Sequence, residues 1–206
     1  RMYGASHMFF LLQGYAVLNR TAMPMVGDPE TVYDTFVPQL VADAEAAVNK
    51  AVEIGVADPE RIGVIGHSHG GLMVANLLAH TDLFRAGIAR SGSYNKTTQP
   101  FGYQSERRSL FEARDSYINA SPTFFADKVN EPVLVIHGDA DSNPGTLTFQ
   151  SEVFFEAVRG SGGTARLVLL PFEDHGYRAR ESVEHVLWEQ LNWFDTHVKG
   201  AATPSA

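Results

Sequence analysis

One serine in this sequence has the surroundings of a nucleophile. Ser68 lies in the pattern Gly-His-Ser-His-Gly at positions 66–70, between an apolar run that predicts a strand and a segment with helical spacing. In a strand, sharp turn and helix of this kind, the small residues let the turn tighten until the serine hydroxyl is exposed. The pattern therefore favours a nucleophilic Ser68 over a serine that merely caps the helix.

A nucleophilic serine needs a base within hydrogen-bond reach and an acid that orients the base. The chain supplies both in the order serine, aspartate, histidine, and each follows an apolar run that predicts a strand: Asp141 lies in loop 137–143 and His175 in loop 171–177. Catalytic groups of open parallel sheets gather beyond the carboxyl ends of the strands. We therefore predict that Asp141 and His175 meet Ser68.

Four titratable residues near these loops have other predicted roles. Asp139 could also be the acid, but an aspartate at this turn more readily accepts hydrogen bonds from backbone amides. Glu173 and Asp174 precede the histidine directly, so we interpret them as solvated or as holding the loop. His137 ends an apolar strand and is interpreted as a structural histidine.

The two histidines that flank Ser68 suggest a metal site together with His175. No carboxylate stands at ligand spacing with them, however, so we predict no metal and no cofactor. The backbone N–H of His69 is predicted to be one of the two donors that a tetrahedral oxyanion needs. The second donor normally comes from a loop between the third strand and the first helix, which this sequence lacks.

The elements that must position these groups alternate between strand and helix. This alternation predicts an α/β fold with a mostly parallel sheet and helices on both faces. Strands are predicted at residues 15–19, 62–65, 86–89, 133–136 and 165–170, and helices at 8–12, 36–54, from the Ser68 turn to about 80, at 147–158 and at 181–198. We expect residues 1–199 to form one domain and residues 200–206 a mobile tail.

The stretch 91–130 is too long for an ordinary loop, and it predicts a cap-like insert over the site. It carries five aromatic residues, Tyr94, Phe101, Tyr103, Phe111 and Tyr117. Most of them are expected to pack against the body of the domain, and one or two to line a substrate pocket. Tyr94 is our candidate for a contact with substrate.

Composition excludes several classes of partner and chemistry. The formal net charge is -8 and no lysine or arginine cluster could neutralise a row of phosphates, which argues against nucleic acid. There is no cysteine, so disulfides and thiolate catalysis are excluded. This is compatible with the cytoplasm but leaves the compartment open. No apolar run approaches the roughly 18 residues of a membrane span, so we predict no membrane partner.

The three motifs together resemble the prolyl oligopeptidase family of serine peptidases, over residues 4–199. Residues 66–71 are similar to its elbow, Gly-His-Ser-Tyr-Gly-Gly, with His69 in place of the usual tyrosine. Residues 137–143 are similar to its acid loop, where the resemblance makes Asp141 the triad acid and places Asn143 near substrate, and residues 174–176 to its histidine loop. Segments 75–80, 88–92, 100–104 and 179–182 resemble the glutamyl endopeptidase branch.

The resemblance implies an α/β-hydrolase fold and a serine peptidase that cleaves peptides through an acyl-enzyme, in this branch after acidic residues. Our candidate substrate-binding residues are Asn143, His69 and Tyr94. An acidic substrate residue would need a buried cation, and we assign none of the four candidates, Arg90, Arg107, Arg108 and Arg180. The alternatives are a small-molecule carboxylesterase with the same triad, and a catalytically incomplete fragment or interaction module.

The family also differs from this sequence at its start. Family members carry a β-propeller and the first strands of the hydrolase sheet, and the resemblance makes 15–19 the fourth strand and 62–65 the fifth. The third strand normally lies between these two, so its absence would leave strand edges exposed. We predict that the chain is a fragment of a longer peptidase or that these edges pair with another chain.

Overall fold

A computed structural model describes residues 6–19 and 21–200, and its centre is one parallel sheet. The four strands are β1 (Gly63–His67), β2 (Ala86–Arg90), β3 (Val133–Gly138) and β4 (Ala165–Leu170). They lie in the order β1, β2, β3, β4, and every neighbouring pair is parallel. The carboxyl ends of all four strands therefore lie on one edge of the sheet, as the sequence predicted.

Five α-helices and several short turns of helix surround the sheet. The α-helices are α1 (Phe36–Glu53), α2 (His69–His80), α3 (Arg114–Asn119), α4 (Phe149–Gly160) and α5 (Arg180–Phe194). Short 3-10 helices lie at His7–Gln13, Val32–Thr35, Lys96–Thr98 and Pro122–Lys128, and a π-helical turn at Asp195–Lys199 follows α5. Among the described residues, no helix is long and apolar enough to cross a membrane.

Side chains of the central strands are buried on both faces of the sheet. In β3, Val133 and Val135 belong to a core shared with α1, α2 and α4, whereas Leu134 and Ile136 belong to a second core with α5. All six residues of β3 are buried. The continuous apolar sequence of this strand follows from its two covered faces.

The predicted strand at 15–19 is wrong. These residues adopt no regular structure; Tyr15 packs edge-on against Phe10 and donates a hydrogen bond from its hydroxyl to Asp195 at 2.7 Å. The segment therefore covers the second core beside α5 instead of extending the sheet. As a result, β1 is an edge strand among the described residues, and all five of its residues are partly exposed.

Several other boundaries differ from the predicted ones. The first helix is a 3-10 helix, capped by Ser6 and ended by Gly14. The last helix changes to a wider turn at Asp195 and so does not run as an α-helix to 198. The insert 91–130 contains α3 and two short 3-10 helices, of which Pro122–Lys128 packs against α2 and α4. Of the predicted tail, residues 201–206 lie outside the described residues.

The turn between β1 and α2 generates a prediction about Gly66. A Cβ atom on Gly66 would lie 2.1 Å from the carbonyl oxygen of Gly70, which is backbone and cannot rotate away. We expect Gly66→Ala to lower the free energy of unfolding by about 3 kcal/mol, because the turn must open to relieve the clash. Urea unfolding followed by circular dichroism measures this change.

Gly160→Ala is the matched control. A Cβ atom on Gly160, at the end of α4, has no heavy atom within 4 Å. Because alanine is the better helix former, this change should leave stability unchanged or raise it by up to about 1 kcal/mol. Equal unfolding midpoints for the two variants would contradict the clash argument.

Candidate active site

Ser68 lies at a sharp turn between β1 and α2. Its φ and ψ angles are 59° and -120°, a region that non-glycine residues rarely occupy. The backbone N–H of Ser68 donates to the carbonyl of Arg90 at the end of β2, at 2.8 Å. The turn is thus held in its strained form by the neighbouring strand, and Ser68 has the conformation of a nucleophile elbow.

Ser68, His175 and Asp141 form a continuous hydrogen-bonded chain. The Oγ atom of Ser68 is 2.8 Å from Nε2 of His175, and Nδ1 of the same ring is 2.8 Å from Oδ2 of Asp141. A carboxylate only accepts hydrogen bonds, so Nδ1 carries the proton and Nε2 accepts from the serine hydroxyl. The structure therefore brings together the three residues that the sequence predicted to meet, in the tautomer that a general base requires.

The Asp141 carboxylate is fully buried and accepts four hydrogen bonds. Its side chain has 0% exposure. Oδ2 accepts from His175, from Nε2 of His137 at 2.8 Å and from Oγ1 of Thr146 at 3.2 Å, and Oδ1 accepts from the backbone N–H of Asn143 at 2.9 Å. These donors compensate for the loss of water around the charge.

His137 is more closely tied to the site than the sequence suggested. Because its Nε2 donates to Asp141, its Nδ1 must accept, and the hydroxyl of Ser151 on α4 donates to it at 2.6 Å. Burial lowers the pKa of His137. The ring is structural, as predicted, but the role of Thr146 and Ser151 has no signal in the sequence, because both reach the site only through the fold.

The loops that carry Asp141 and His175 are in direct backbone contact. The backbone N–H of Ala140 donates to the carbonyl of Glu173 at 3.0 Å. A Cβ atom on Gly138 would lie 2.2 Å from that same carbonyl oxygen, so only glycine lets the loops approach this closely.

The carboxylates around these two loops hold backbone, as the sequence predicted. Asp139 accepts from the backbone N–H of Phe172 at 2.6 Å. Asp174 accepts from the backbone and hydroxyl of Ser142, at 2.8 and 3.0 Å. Glu173 is buried and accepts from the backbone N–H groups of residues 178 and 179, each at 2.8 Å. Each loop is therefore closed by acids that take no part in the chain from Ser68 to Asp141.

The two histidines that flank Ser68 lie in different environments. The His67 ring packs against those of His175 and Tyr177, at 5.0 and 5.8 Å between centroids, whereas the His69 ring packs against Phe36 at 5.8 Å. Burial lowers the pKa of each to about 4, so both rings are neutral at pH 7. Within residues 6–19 and 21–200, no group of three histidines or carboxylates is placed to hold a metal.

The three candidate substrate-binding residues lie in different environments. Asn143 is exposed beside Asp141, and its side-chain oxygen accepts from the backbone N–H of Gly145 at 2.9 Å. Tyr94 is wrong as a substrate contact. Its side chain is 0% exposed and stacks on Phe154 at 4.7 Å, which leaves no surface for a ligand. His69 begins α2, so its backbone N–H has no acceptor within the helix.

Three of the four arginines that could bind an acidic substrate are committed or exposed. Arg107 and Arg180 have side chains 80% and 84% exposed, and each lies near a surface glutamate. Arg108 pairs with Glu106 and Asp34, at 2.7 Å to each. Arg90 lies in register with His67 at the end of β2.

The sequence missed a buried cation in the insert. Lys96 has 2% exposure, and burial lowers its pKa to about 8. The only signal was its place, six residues after the end of the strand that precedes the insert.

Comparison with known proteins places this arrangement in a family. A profile of the prolyl oligopeptidase family matches residues 34–201. The probable chloroplastic glutamyl endopeptidase of Oryza sativa subsp. japonica is 50% identical over 194 residues, which are 93% of this chain and 21% of that protein. The corresponding protein of Arabidopsis thaliana is 51% identical over 194 residues, 93% of this chain and 20% of that protein. The chain thus spans about a fifth of the length of these relatives.

Solved structures share the fold at lower identity. A puromycin-hydrolyzing peptidase of Mycobacterium tuberculosis superposes with a TM-score of 0.69 at 27% identity, over 81% of this chain and 26% of that one. The acylaminoacyl peptidase of Pyrococcus horikoshii superposes with a TM-score of 0.70 at 25% identity, over 84% and 30%. The family profile thus matches most of the chain, two relatives are about half identical to it, and solved peptidases share its α/β-hydrolase fold. The chain therefore belongs to the prolyl oligopeptidase family.

Proposed function

We propose that the protein is a serine peptidase in which Ser68 is the nucleophile, His175 the general base and Asp141 the residue that orients the base. The observation that carries this proposal is the chain of two 2.8 Å hydrogen bonds from the Ser68 hydroxyl through His175 to a buried carboxylate. The strained backbone at Ser68 supports it, since strain of this kind persists where surrounding structure enforces it and is common at active sites.

Acyl transfer follows from this geometry in two balanced steps. Ser68 Oγ attacks the peptide carbonyl carbon while its proton passes to His175 Nε2, and His175 then gives that proton to the leaving amine as the C–N bond breaks. In the second step, water attacks the carbonyl carbon of the acyl-enzyme while one of its protons passes to His175. His175 then gives that proton to Ser68 Oγ as the ester bond to Ser68 breaks and the carboxylic acid product leaves. Asp141 keeps its charge throughout and stabilises the imidazolium that forms in each step.

The backbone N–H of His69 is our proposed donor to the oxyanion. It is the first N–H of α2 and lies next to the nucleophile, so the positive end of the helix dipole points toward the developing charge. The ring of His69 and the side chain of Asn143 are proposed to line the substrate site on either side of Ser68.

We further propose that the substrates are peptides cleaved after acidic residues. The support is the similarity to two relatives that share about half of this sequence, each a probable glutamyl endopeptidase. Residues 1–199 are proposed to be the catalytic domain, with 91–130 as its insert. The free edge of β1 is proposed to pair with further strands, either of a longer chain or of another one.

A fluorophosphonate probe tests the nucleophile. We expect the protein to be labelled once, and Ser68→Ala to abolish labelling and to lower peptide turnover by about 10⁴-fold or more, because the acyl-enzyme can no longer form. Ser161→Ala is the control, since Ser161 is exposed at the end of α4 and should label as before.

The choice of substrate separates peptidase from esterase. A peptide with one internal glutamate and a p-nitrophenyl ester should both be cleaved in a Ser68-dependent way. Cleavage of the ester without any peptide would contradict the peptidase proposal, and a folded protein that never labels would contradict catalysis by Ser68.

Thr146 tests the role of the Asp141 carboxylate. Its hydroxyl lies 3.2 Å from Oδ2 of Asp141 and 3.1 Å from Nδ1 of His175. We expect Thr146→Val to lower the labelling rate by about 10- to 100-fold with little change in KM, since a hydrogen bond to a charged group contributes about 1.5 to 3 kcal/mol. Thr146→Ser keeps the hydroxyl and should restore the rate. Equal loss in both variants would mean that packing matters and the hydrogen bond does not.

A further inference from the structure

The His67 ring packs against the ring of His175. The two ring centroids are 5.0 Å apart and the ring planes are tilted by 52°. His67 is the last residue of β1 and directly precedes Ser68, so it lies beside both the proposed nucleophile and the proposed base. The hydrogen-bonded chain from Ser68 to Asp141 does not include His67, so this ring contact has no part in the proton transfers.

Two hydrogen bonds alone do not fix the orientation of the His175 ring. They hold its two nitrogen atoms, one toward Ser68 and one toward Asp141, each at 2.8 Å. A rigid ring held at two points can still turn about the line that joins them. A packed neighbour away from that line restricts the turn, because close-packed side chains leave little free space. The His67 ring supplies such a contact.

Tyr177 connects the His67 ring to the centre of the sheet. The Tyr177 ring meets His67 edge-on, with centroids 5.8 Å apart and an angle of 84° between the planes. Its hydroxyl donates to the carbonyl of Ile136 in β3 at 3.1 Å and lies 2.9 Å from the hydroxyl of Ser91, the residue after β2. The position of His67 is therefore supported by the two central strands.

The backbone at Ser91 is strained at the point where it supports Tyr177. Ser91 has a φ angle of 41°, which non-glycine residues rarely adopt, and it is fully buried. Its backbone N–H donates to the carbonyl of Ile136 at 2.8 Å, and the Tyr177 hydroxyl donates to the same oxygen. Such strain persists where the surrounding structure enforces it, and it is common at functional sites. The support of Tyr177 is thus one of the strained places of this fold.

The contact with His67 matters most after Ser68 has been acylated. The esterified oxygen has no proton to donate, so the hydrogen bond to Nε2 of His175 is lost and only the partners of Nδ1 remain. The ring must then direct a water at the acyl carbon, and a misplacement of about 1 Å can cost about 10²-fold in rate. Burial and then the charge of Arg90 lower the pKa of His67 to about 4, so at pH 7 its neutral ring does not repel the imidazolium that forms on His175.

We propose that His67 is a positioning residue for the general base: its ring, supported by Tyr177, restricts the turn of His175, above all while Ser68 is acylated. This inference rests on the proposed function and adds to it a residue outside the triad. His67 transfers no proton in this role. What it contributes is a flat ring at a fixed place, so a phenyl ring at the same position can replace it.

An ester substrate separates the two steps of the reaction. Single-turnover release of p-nitrophenol from p-nitrophenyl acetate measures acylation, and the decay of the acyl-enzyme, followed by the mass of the intact protein, measures deacylation. We expect His67→Ala to slow deacylation by about 10-fold and acylation by at most about 3-fold, because only the acyl-enzyme lacks the hydrogen bond from Ser68. His67→Phe keeps a flat ring and should restore most of the deacylation rate.

Three results would overturn the proposal. They are an unchanged deacylation rate in His67→Ala, an equal loss in both steps, and a His67→Phe variant as slow as His67→Ala. A merely structural role of His67 predicts the second result, since a loosened fold slows acylation and deacylation alike.

Two further variants complete the series. Tyr177→Phe keeps the ring and removes the hydroxyl that joins it to Ile136 and Ser91, so deacylation should fall by about 3-fold, as expected for one neutral hydrogen bond. An unchanged rate would contradict the part assigned to Tyr177. His185→Ala is the matched control, because His185 lies on α5 with half of its side chain exposed, and both rates should stay as they are.

Proton NMR decides the role of His67 without turnover. The Nδ1–H proton of His175, which is hydrogen-bonded to Asp141, is identified by its loss in His175→Gln. We expect a sharp resonance in the unaltered protein and in His67→Phe, and one broadened by exchange with water in His67→Ala. Equal line widths in all three would refute the inference. If no acyl-enzyme forms, the proposed function fails, and this measurement still decides whether His67 orients the ring.

Discussion

The site depends on one buried carboxylate. Asp141 has no exposed side-chain surface, so its charge is stable only because four donors surround it. Those donors come from different parts of the chain: a strand end, two positions of its own loop and the loop that follows β4. Removing any donor weakens the compensation for burial, so the same hydrogen bonds stabilise the fold and set the orientation of His175. Stability and reactivity are therefore coupled at this residue.

Two close backbone approaches make that arrangement possible. At Gly66 the turn after β1 folds back on Gly70, and at Gly138 the end of β3 touches the loop of His175. Both positions lie at carboxyl ends of parallel strands, where catalytic groups of this architecture gather. These glycines set how close the three side chains of the proposed triad can come to one another.

The sequence was sufficient to predict features that depend on short stretches of the chain and on the order in which they follow one another. Ser68, Asp141 and His175 follow predicted strands in a fixed order, and β2, β3, β4 and α1 lie close to their predicted bounds because their apolar periodicity matches the faces they bury. The reasoning failed where tertiary context decides. Residues 15–19 have the composition of a strand but join no sheet; they pack on the second core, and Tyr15 donates to Asp195 just after α5. Tyr94 resembled a pocket residue, yet it is an aromatic of the core.

The donors to Asp141 and the burial of Lys96 were also beyond the sequence. Thr146 and Ser151 are ordinary residues of a loop and a helix. Thr146 donates to Asp141 within one loop, and Ser151 on α4 donates to His137, which in turn donates to Asp141. Lys96 reads as a surface lysine, and it is buried because Tyr103 and Ser93 fold around it. No pattern of residue types marks such positions, since they depend on which segments meet.

The hydrogen bond from the backbone N–H of Ser68 to the carbonyl of Arg90 ties the proposed nucleophile to the neighbouring strand. Because that carbonyl belongs to β2, the position of Ser68 relative to the sheet depends on the register between β1 and β2. A small shear between these two strands would displace the serine hydroxyl against His175, which is fixed to β3 and β4 through its loop. A deformation of the sheet between β1 and β2 would therefore change the reactivity of Ser68.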